Sequence, residues 1–331
     1  MKMMSRRTAL SSLAGTILGG QFAATGRAQD RYPIRPVRMI VPFAPGGGAA
    51  DVTARALAQQ MGVLLGQPVV VENRPGAGGA IGTLAVAKAA PDGYTILLTD
   101  RGALGILPSI NPQLGYDPLR SFAHIGVVTE GPYVLVVHQS VAAKTIPEFA
   151  SIVRGRAGKI NYGSFGVGSM AHLNFEAMNA RFGLDMQHVP YKNTPEAINA
   201  VANGEVQIAM AAAPAVIGVL RAGQIRALAI GAPVRSPELP DVPTAEEAGM
   251  EADILVPTYF ALAAPIHTPD AICARLAKEM QAALSVEDVA RRLTGLGLTP
   301  VGSGREVTER LIRRDSVVFG ELIKRLKITA Q

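Results

Sequence analysis

Met39-Ile40-Val41-Pro42-Phe43-Ala44-Pro45-Gly46-Gly47-Gly48-Ala49-Ala50-Asp51, continued by Val52, Thr53, Ala54, Arg55, Ala56 and Leu57, is an apolar run closed by proline and glycine and then taken up at helical spacing. It reads as a buried strand, a loop and a helix. Glycines let a backbone approach a ligand closely, and the first N–H groups of a helix have no partner inside it. Such a turn therefore offers donors and a positive dipole end to a carboxylate or phosphate without any charged side chain. An isolated glycine run reads equally well as a tight connection. A second run tips the balance: Asn161-Tyr162-Gly163-Ser164-Phe165-Gly166-Val167-Gly168-Ser169-Met170-Ala171-His172 repeats the strand, Gly/Ser loop and helix start, with Phe175, Met178 and Phe182 on one helical face. Two such loops in one chain are expected to be facing half-sites.

Working outward, 331 residues exceed the usual size of one domain, and two cores are expected. Hydrophobic residues at 48% and charged residues at 18% fit a globular α/β chain and exclude a disordered or fibrous one. Tryptophan is absent and no Lys/Arg block is interleaved with aromatics, so no nucleic-acid partner is expected. Lys2, Arg6 and Arg7 precede an uncharged, mostly small and apolar stretch from Thr8 to Gly26, and Gly26-Arg27-Ala28 suits a signal peptidase. Residues 1–28 are read as an export signal; Ser5 to Leu10 is twin-arginine-like, and ordinary secretion remains equally open. Removing Lys2, Arg6, Arg7 and Arg27 lowers the net charge of +6 by four, to +2, so the basic character belongs largely to the signal. Cys273 stands alone, which leaves no internal disulfide and no paired-thiol metal site. A soluble periplasmic monomer without metal or cofactor is the expectation.

Along the mature chain, strands at Val69–Val71 and Thr95–Leu98 alternate with a helix from Ile81 to Ala89, and Pro75–Gly79 reads as a glycine-rich link. Short links between such elements imply parallel crossovers with their loops gathered on one edge. Residues 118–129 read as irregular. A second series opens at Val134 and runs to Ile230, and Tyr259–Ala263 with helices over Pro269–Leu284 and Arg305–Leu326 returns to the first. The expected division is 29–129 plus 254–331 for domain 1 and 130–253 for domain 2, with two connections forming a hinge.

The residues resemble one family. Tyr32-Pro33-x-Arg35-Pro36-Val37-Arg38, Val41-Pro42-Phe43-Ala44-Pro45-Gly46-Gly47, Val71-Glu72-Asn73-Arg74-Pro75-Gly76-Ala77-Gly78-Gly79, Pro91-Asp92-Gly93-Tyr94-Thr95 and Tyr116-Asp117-Pro118 are similar to motifs of the Bug (TctC-type) solute-binding proteins of tripartite tricarboxylate transporters. Val189-Pro190-Tyr191-Lys192, Arg226-Ala227-Leu228-Ala229 and Ser236-Pro237-x-Leu239-Pro240-Asp241-Val242-Pro243-Thr244-x-x-Glu247-Ala248-Gly249 continue the match across the mature chain. The resemblance implies an α/β fold of the two-domain, type II periplasmic-binding-protein kind with a double crossover hinge. It also implies a small organic acid ligand and membrane permease subunits as partners. In that family one carboxylate is held between the two glycine loops by backbone groups and ordered water. Carried over, this puts Phe43, Ala44, Gly46, Gly47 and Gly48 on one side, and Ser164, Gly166, Gly168, Ser169 and His172 on the other.

Two departures from the family pattern bear on specificity. Thr99-Asp100-Arg101-Gly102 stands where relatives carry small polar residues, so Arg101 is a candidate partner for a second carboxylate; the alternative is that Asp100 and Arg101 pair with each other or with solvent. Met210-Ala211-Ala212-Ala213-Pro214 is apolar where relatives are polar, and Ala212 is expected to wall the site against an aromatic or alkyl body. A dicarboxylate or an aromatic carboxylate is the expected ligand. His172 and His188 read as readily structural as ligand-binding, Tyr133, Tyr191 and Tyr259 as core or cleft, and Asp51 as a helix-start carboxylate. No enzyme is expected: Gly46-x-Gly48-x-x-Asp51 lacks the third glycine of a dinucleotide turn, no Walker lysine or G-x-S-x-G is present, and Ser164 and Ser169 have no evident base. A periplasmic sensor that signals to a kinase, or a hydrolase, are the competing classes.

Overall fold

The computed structural model describes residues 32–328 apart from 47, 112, 251–253 and 327. The expected export signal at 1–28 and the candidate Gly47 lie outside the described residues. β1 (Val37–Val41), β2 (Val69–Asn73) and β3 (Thr95–Asp100) form a parallel set, with α1 (Ala49–Leu65) and α2 (Ala80–Ala87) as the intervening helices. β10 (Thr258–Pro265) lies antiparallel between β3 and β4 (Phe122–Gly131), and β11 (Thr299–Pro300) edges the sheet, giving the order β11-β4-β10-β3-β1-β2. The second sheet, β7-β6-β8-β5-β9, comprises β5 (Tyr133–His138), β6 (Ile160–Ser164), β7 (Met186–Pro190), β8 (Ile208–Ala212) and β9 (Ile225–Ile230). Its helices are α4 (Ile146–Arg154), α5 (Met170–Phe182), α6 (Thr194–Ala202) and α7 (Ala213–Arg221).

The chain leaves the first sheet at Gly131, enters the second at Tyr133 and returns to the first at Thr258, so two connections join the sheets. Each sheet has its own apolar packing. Leu57 and Met61 of α1 meet Leu276 and Met280 of α8 (Asp270–Leu284) over the first, while Tyr162, Phe149 and Phe175 pack with Leu135 over the second. A buried aliphatic or aromatic side chain contributes about 1.5–3 kcal/mol, and these two clusters supply most of what holds each unit together.

Residues 118–129, read from sequence as irregular, are in large part β4, a strand buried on both faces. Its run Phe-Ala-His-Ile-Gly-Val-Val-Thr has no alternation because neither face meets water. Gly126 is required there: an added Cβ would lie 1.9 Å from the Ser303 carbonyl oxygen. The short α9 (Glu287–Thr294) and β11 were likewise not anticipated.

α10 (Arg305–Leu326) does not belong to one unit alone. Ile312 packs with Leu104, Val127 and Tyr259 of the first, whereas Phe319 and Ile323 sit in a cluster drawn from both, with Ile106 and Ile110 of the first and Phe149, Tyr162 and Phe175 of the second. The helix that ends the expected first-unit segment 254–331 thus also packs against residues of the second unit.

Candidate functional site

Between the sheets lies a cavity of about 570 Å³, within the roughly 300–1,000 Å³ of small-molecule sites. The first unit contributes Pro42, Phe43, Ala44, Gly48, Ala49, Ala50 and Asp51, the run Pro75 to Ala80, Asp100, Leu107, Ile110, Asn111, Leu114 and Phe260. The second contributes Tyr133, Phe165, Gly166, Val167, the run Tyr191 to Pro195, Ala212 and Ala215.

Most of the wall is apolar, and at the α1 side the donors are main-chain. α1 starts at Ala49 behind an N-cap glycine, Gly48, whose missing side chain caps nothing. The N–H groups of Ala49, Ala50 and Asp51 have no acceptor among the described residues. By contrast α4 and α6, capped by Thr145 and Asn193, close their own first turns. A helix left uncapped at a cavity is an anion site waiting for its acceptor. The α7 start at Ala212 is also without a side-chain cap and reaches the same cavity through Ala212 and Ala215.

A buried network shapes the first loop. Asp51 accepts from Gly46 N–H at 3.2 Å, from Arg55 Nε at 2.9 Å and from Asn73 Nδ2 at 3.0 Å, and Asn73 Nδ2 also donates to the Phe43 carbonyl at 3.0 Å. Burial alone would raise the Asp51 carboxyl, but the hydrogen bonds from Arg55, Asn73 and Gly46 outweigh it and hold the group below the usual carboxylate range. Asp51 is thus a charged anchor for the loop, and its charge is neutralised by Arg55 instead of being turned on the ligand.

The second glycine loop is arranged differently from the expectation. Of its candidates only Gly166 lines the cavity, with Phe165 and Val167. Ser164 Oγ accepts Gly166 N–H at 3.1 Å, His172 Nδ1 accepts Gly168 N–H at 3.2 Å, and Ser169 Oγ accepts His172 N–H at 3.3 Å. Those donors are consumed within the loop. Ser164 does have a base nearby, contrary to the sequence reading: its Oγ lies 2.6 Å from His188 Nε2. Ser164 is fully buried and outside the cavity lining, so the pair braces the loop. His188 is stacked between Tyr162 and His172, with ring centroids 4.9 and 4.2 Å away.

Asp100 and Arg101 part company. Arg101, 5% exposed, donates through Nε and Nη2 to Asp315 at 2.8 and 2.5 Å and through Nη1 to the Pro257 carbonyl. Its guanidinium lies 5.1 Å from the Phe319 ring centroid and does not line the cavity. The expected clamp on a second carboxylate is therefore replaced by a buried ion pair to α10, and neither expected alternative, pairing with Asp100 or with solvent, occurs. Asp100 does line the cavity.

Three features escaped the sequence reading. Pro75–Ala80 is a cleft wall and not merely a link: Gly76, Ala77, Gly78 and Gly79 all have positive φ, and Gly79 packs so closely that an added Cβ would lie 3.2 Å from the Phe43 ring. Beyond Tyr191, which the sequence left open as core or cleft, Lys192, Asn193 and the first turn of α6 form the opposite rim, and Lys192 is an exposed ammonium with no carboxylate partner among the described residues. The α7 start was named only for its apolar character; its lack of a Ser, Thr, Asn or Asp cap was the available signal.

Comparison with known proteins adds the following. The model of the tripartite tricarboxylate transporter family receptor (TctC) matches residues 53–328. Protein BugT of Bordetella pertussis is 37% identical over 295 residues, covering 89% of this chain and 90% of BugT. MatC from Rhodopseudomonas palustris with bound malate superposes with a TM-score of 0.83 at 34% identity, over 88% of this chain and 100% of that one. The R. palustris protein Rpa4515 with adipate gives 0.85 at 30% identity, over 90% and 99%.

Proposed function

Because this chain belongs to the tripartite tricarboxylate transporter receptor family, whose fold is that of periplasmic binding proteins, we propose that it captures a small organic carboxylate in the periplasm and hands it to the membrane permease subunits of such a transporter. The observation that carries this reading is the uncapped start of α1, whose first three N–H groups have no acceptor among the described residues and open on a largely apolar cavity between two hinged units. The carboxylate takes the place of the missing cap. Phe43, Leu107, Phe165 and Phe260 cover the body of the ligand and exclude water, which strengthens each hydrogen bond to the anion. Lys192 at the rim raises the local concentration of anions before they dock.

Family membership speaks for a binding protein and against an enzyme, and the chain releases its ligand unchanged in this reading. The malate and adipate held by MatC and Rpa4515 support the carboxylate class. With Arg101 committed to Asp315, the site favours a single anchored carboxylate on an alkyl or aromatic body over a symmetrical dicarboxylate clamp. Micromolar affinity corresponds to about 8 kcal/mol, within reach of a few charge-assisted hydrogen bonds and a buried body.

The test is a thermal-shift and calorimetric screen of the chain from Gln29 onward against aliphatic and aromatic carboxylates. A ligand at 100 times its Kd should stabilise the fold by about 2.7 kcal/mol. Asn73→Ala, which frees the Phe43 carbonyl and loosens the loop, should weaken that ligand about tenfold, the equivalent of one lost hydrogen bond. If no carboxylate raises the melting temperature, the reading falls.

A further inference from the structure

Asp100 is the feature that the carboxylate reading does not absorb. It is 6% exposed and lines the same cavity as the α1 start. Oδ1 accepts the Ala103 N–H at 2.9 Å, so part of the carboxyl closes the turn that follows β3. No side-chain donor meets the group among the described residues, and only main-chain N–H groups face it. Its sequence neighbour Arg101 is held away by Asp315 and the Pro257 carbonyl. The other ionisable groups around it are the phenols of Tyr116, Tyr133 and Tyr259. Burial pushes the carboxyl up to about 6, against the opposing pull of the Ala103 and Gly102 N–H groups. A carboxyl buried without a cation is costly unless something pairs with it.

That cavity has a wall that accepts and a wall that donates. α1 presents N–H groups to an anion, and β3 ends in an acceptor that no cation hydrogen-bonds among the described residues, Lys192 standing on the opposite rim. A ligand with a carboxylate at both ends would bring its second charge against Asp100, whereas one bearing an ammonium or hydroxyl would complete it. Resting on the carboxylate reading above, we infer that Asp100 is a specificity residue that selects a carboxylate carrying a second, hydrogen-bond-donating group, and that an ammonium is the preferred donor. The ligand class is then an amino- or hydroxy-carboxylate with an apolar spacer, matched to the Phe43 and Leu107 walls.

The experiment measures by calorimetry, at pH 7.5, four five-carbon probes of one carbon framework, pentanoate, 5-aminopentanoate, 5-hydroxypentanoate and glutarate, with pentylamine as the fifth. On the wild-type chain 5-aminopentanoate should bind about tenfold or more tighter than pentanoate, as expected for a charge-assisted hydrogen bond. Glutarate should be the weakest carboxylate. In Asp100→Asn, which keeps an acceptor for the Ala103 N–H, the amino advantage should disappear and glutarate should gain. Equal binding of all carboxylates, unaltered by Asp100→Asn, overturns the role of Asp100 and leaves the carboxylate reading standing. Binding of pentylamine without any carboxylate overturns the carboxylate reading while retaining Asp100. The wild-type ranking alone decides the matter if Asp100→Asn does not fold.

Discussion

His188, half-buried, and Asp100, buried, are two titratable groups whose shifts act in opposite directions on stability. Burial, and then the neighbouring His172, lowers His188 to about 4, while the unfolded chain titrates near 6.5. The folded state therefore resists a proton that the unfolded state accepts, and His188 contributes stability that is complete above about 6.5 and lost as the pH falls toward 4. Asp100 is raised to about 6, so the folded state holds its proton more firmly, and its contribution to stability declines as the pH rises from about 4 through 6. In melting-temperature scans, His188→Gln should flatten the loss on the acid side, whereas Asp100→Asn should gain stability above pH 6 and none at pH 4. Curves superimposable on the wild type would refute both assignments. The difference between Asp100 and Arg101 was not legible in the sequence. Neighbouring residues at a strand end point to opposite faces, and which of the two looks into the cleft depends on a partner 214 residues away.

At the scale of the element, the cleft loops were legible where local chemistry sets them. The glycine and proline run after β1 and the Gly/Ser run after β6 needed only their own residues, as did the strands of the parallel set. β4 was not legible, because a strand covered on both faces loses the alternation by which strands are recognised. The second glycine loop was found for its donors, yet its serines and His172 use those donors locally, so its composition overstated what it offers. The Arg101–Asp315 pair ties the turn after β3 to α10 and yields a prediction at this scale. Arg101→Ala or Asp315→Ala leaves a buried charge alone and should cost about 3–5 kcal/mol in denaturant unfolding. The double variant Arg101→Met with Asp315→Leu should recover most of that loss. Ligand affinity of the folded single variants should stay close to wild type, in contrast to the loss expected if Arg101 held the ligand.

For the whole molecule, the two units already touch across the cleft. An added Cβ at Gly78 would lie 3.5 Å from the Val167 carbonyl oxygen and 3.5 Å from Leu107. Gly78 has φ +63°, a conformation that asparagine tolerates. Gly78→Asn should therefore fold but prop the rims apart. It should weaken the ligand several-fold and leave the ligand-saturated protein with a larger radius of gyration by small-angle scattering than the wild type; identical scattering and affinity would argue that this contact is idle. Two peptide connections alone would leave the units free to swing like the covers of a book. α10 is a third attachment, with Ile312 seated in the first unit and Phe319 and Ile323 in a cluster shared by both. Swinging open would part this shared cluster, at a cost on the scale of losing a buried aromatic, about 3–5 kcal/mol. The helix thus acts as a clasp: it makes wide opening costly and favours admitting a ligand by a movement small enough to keep the shared cluster joined.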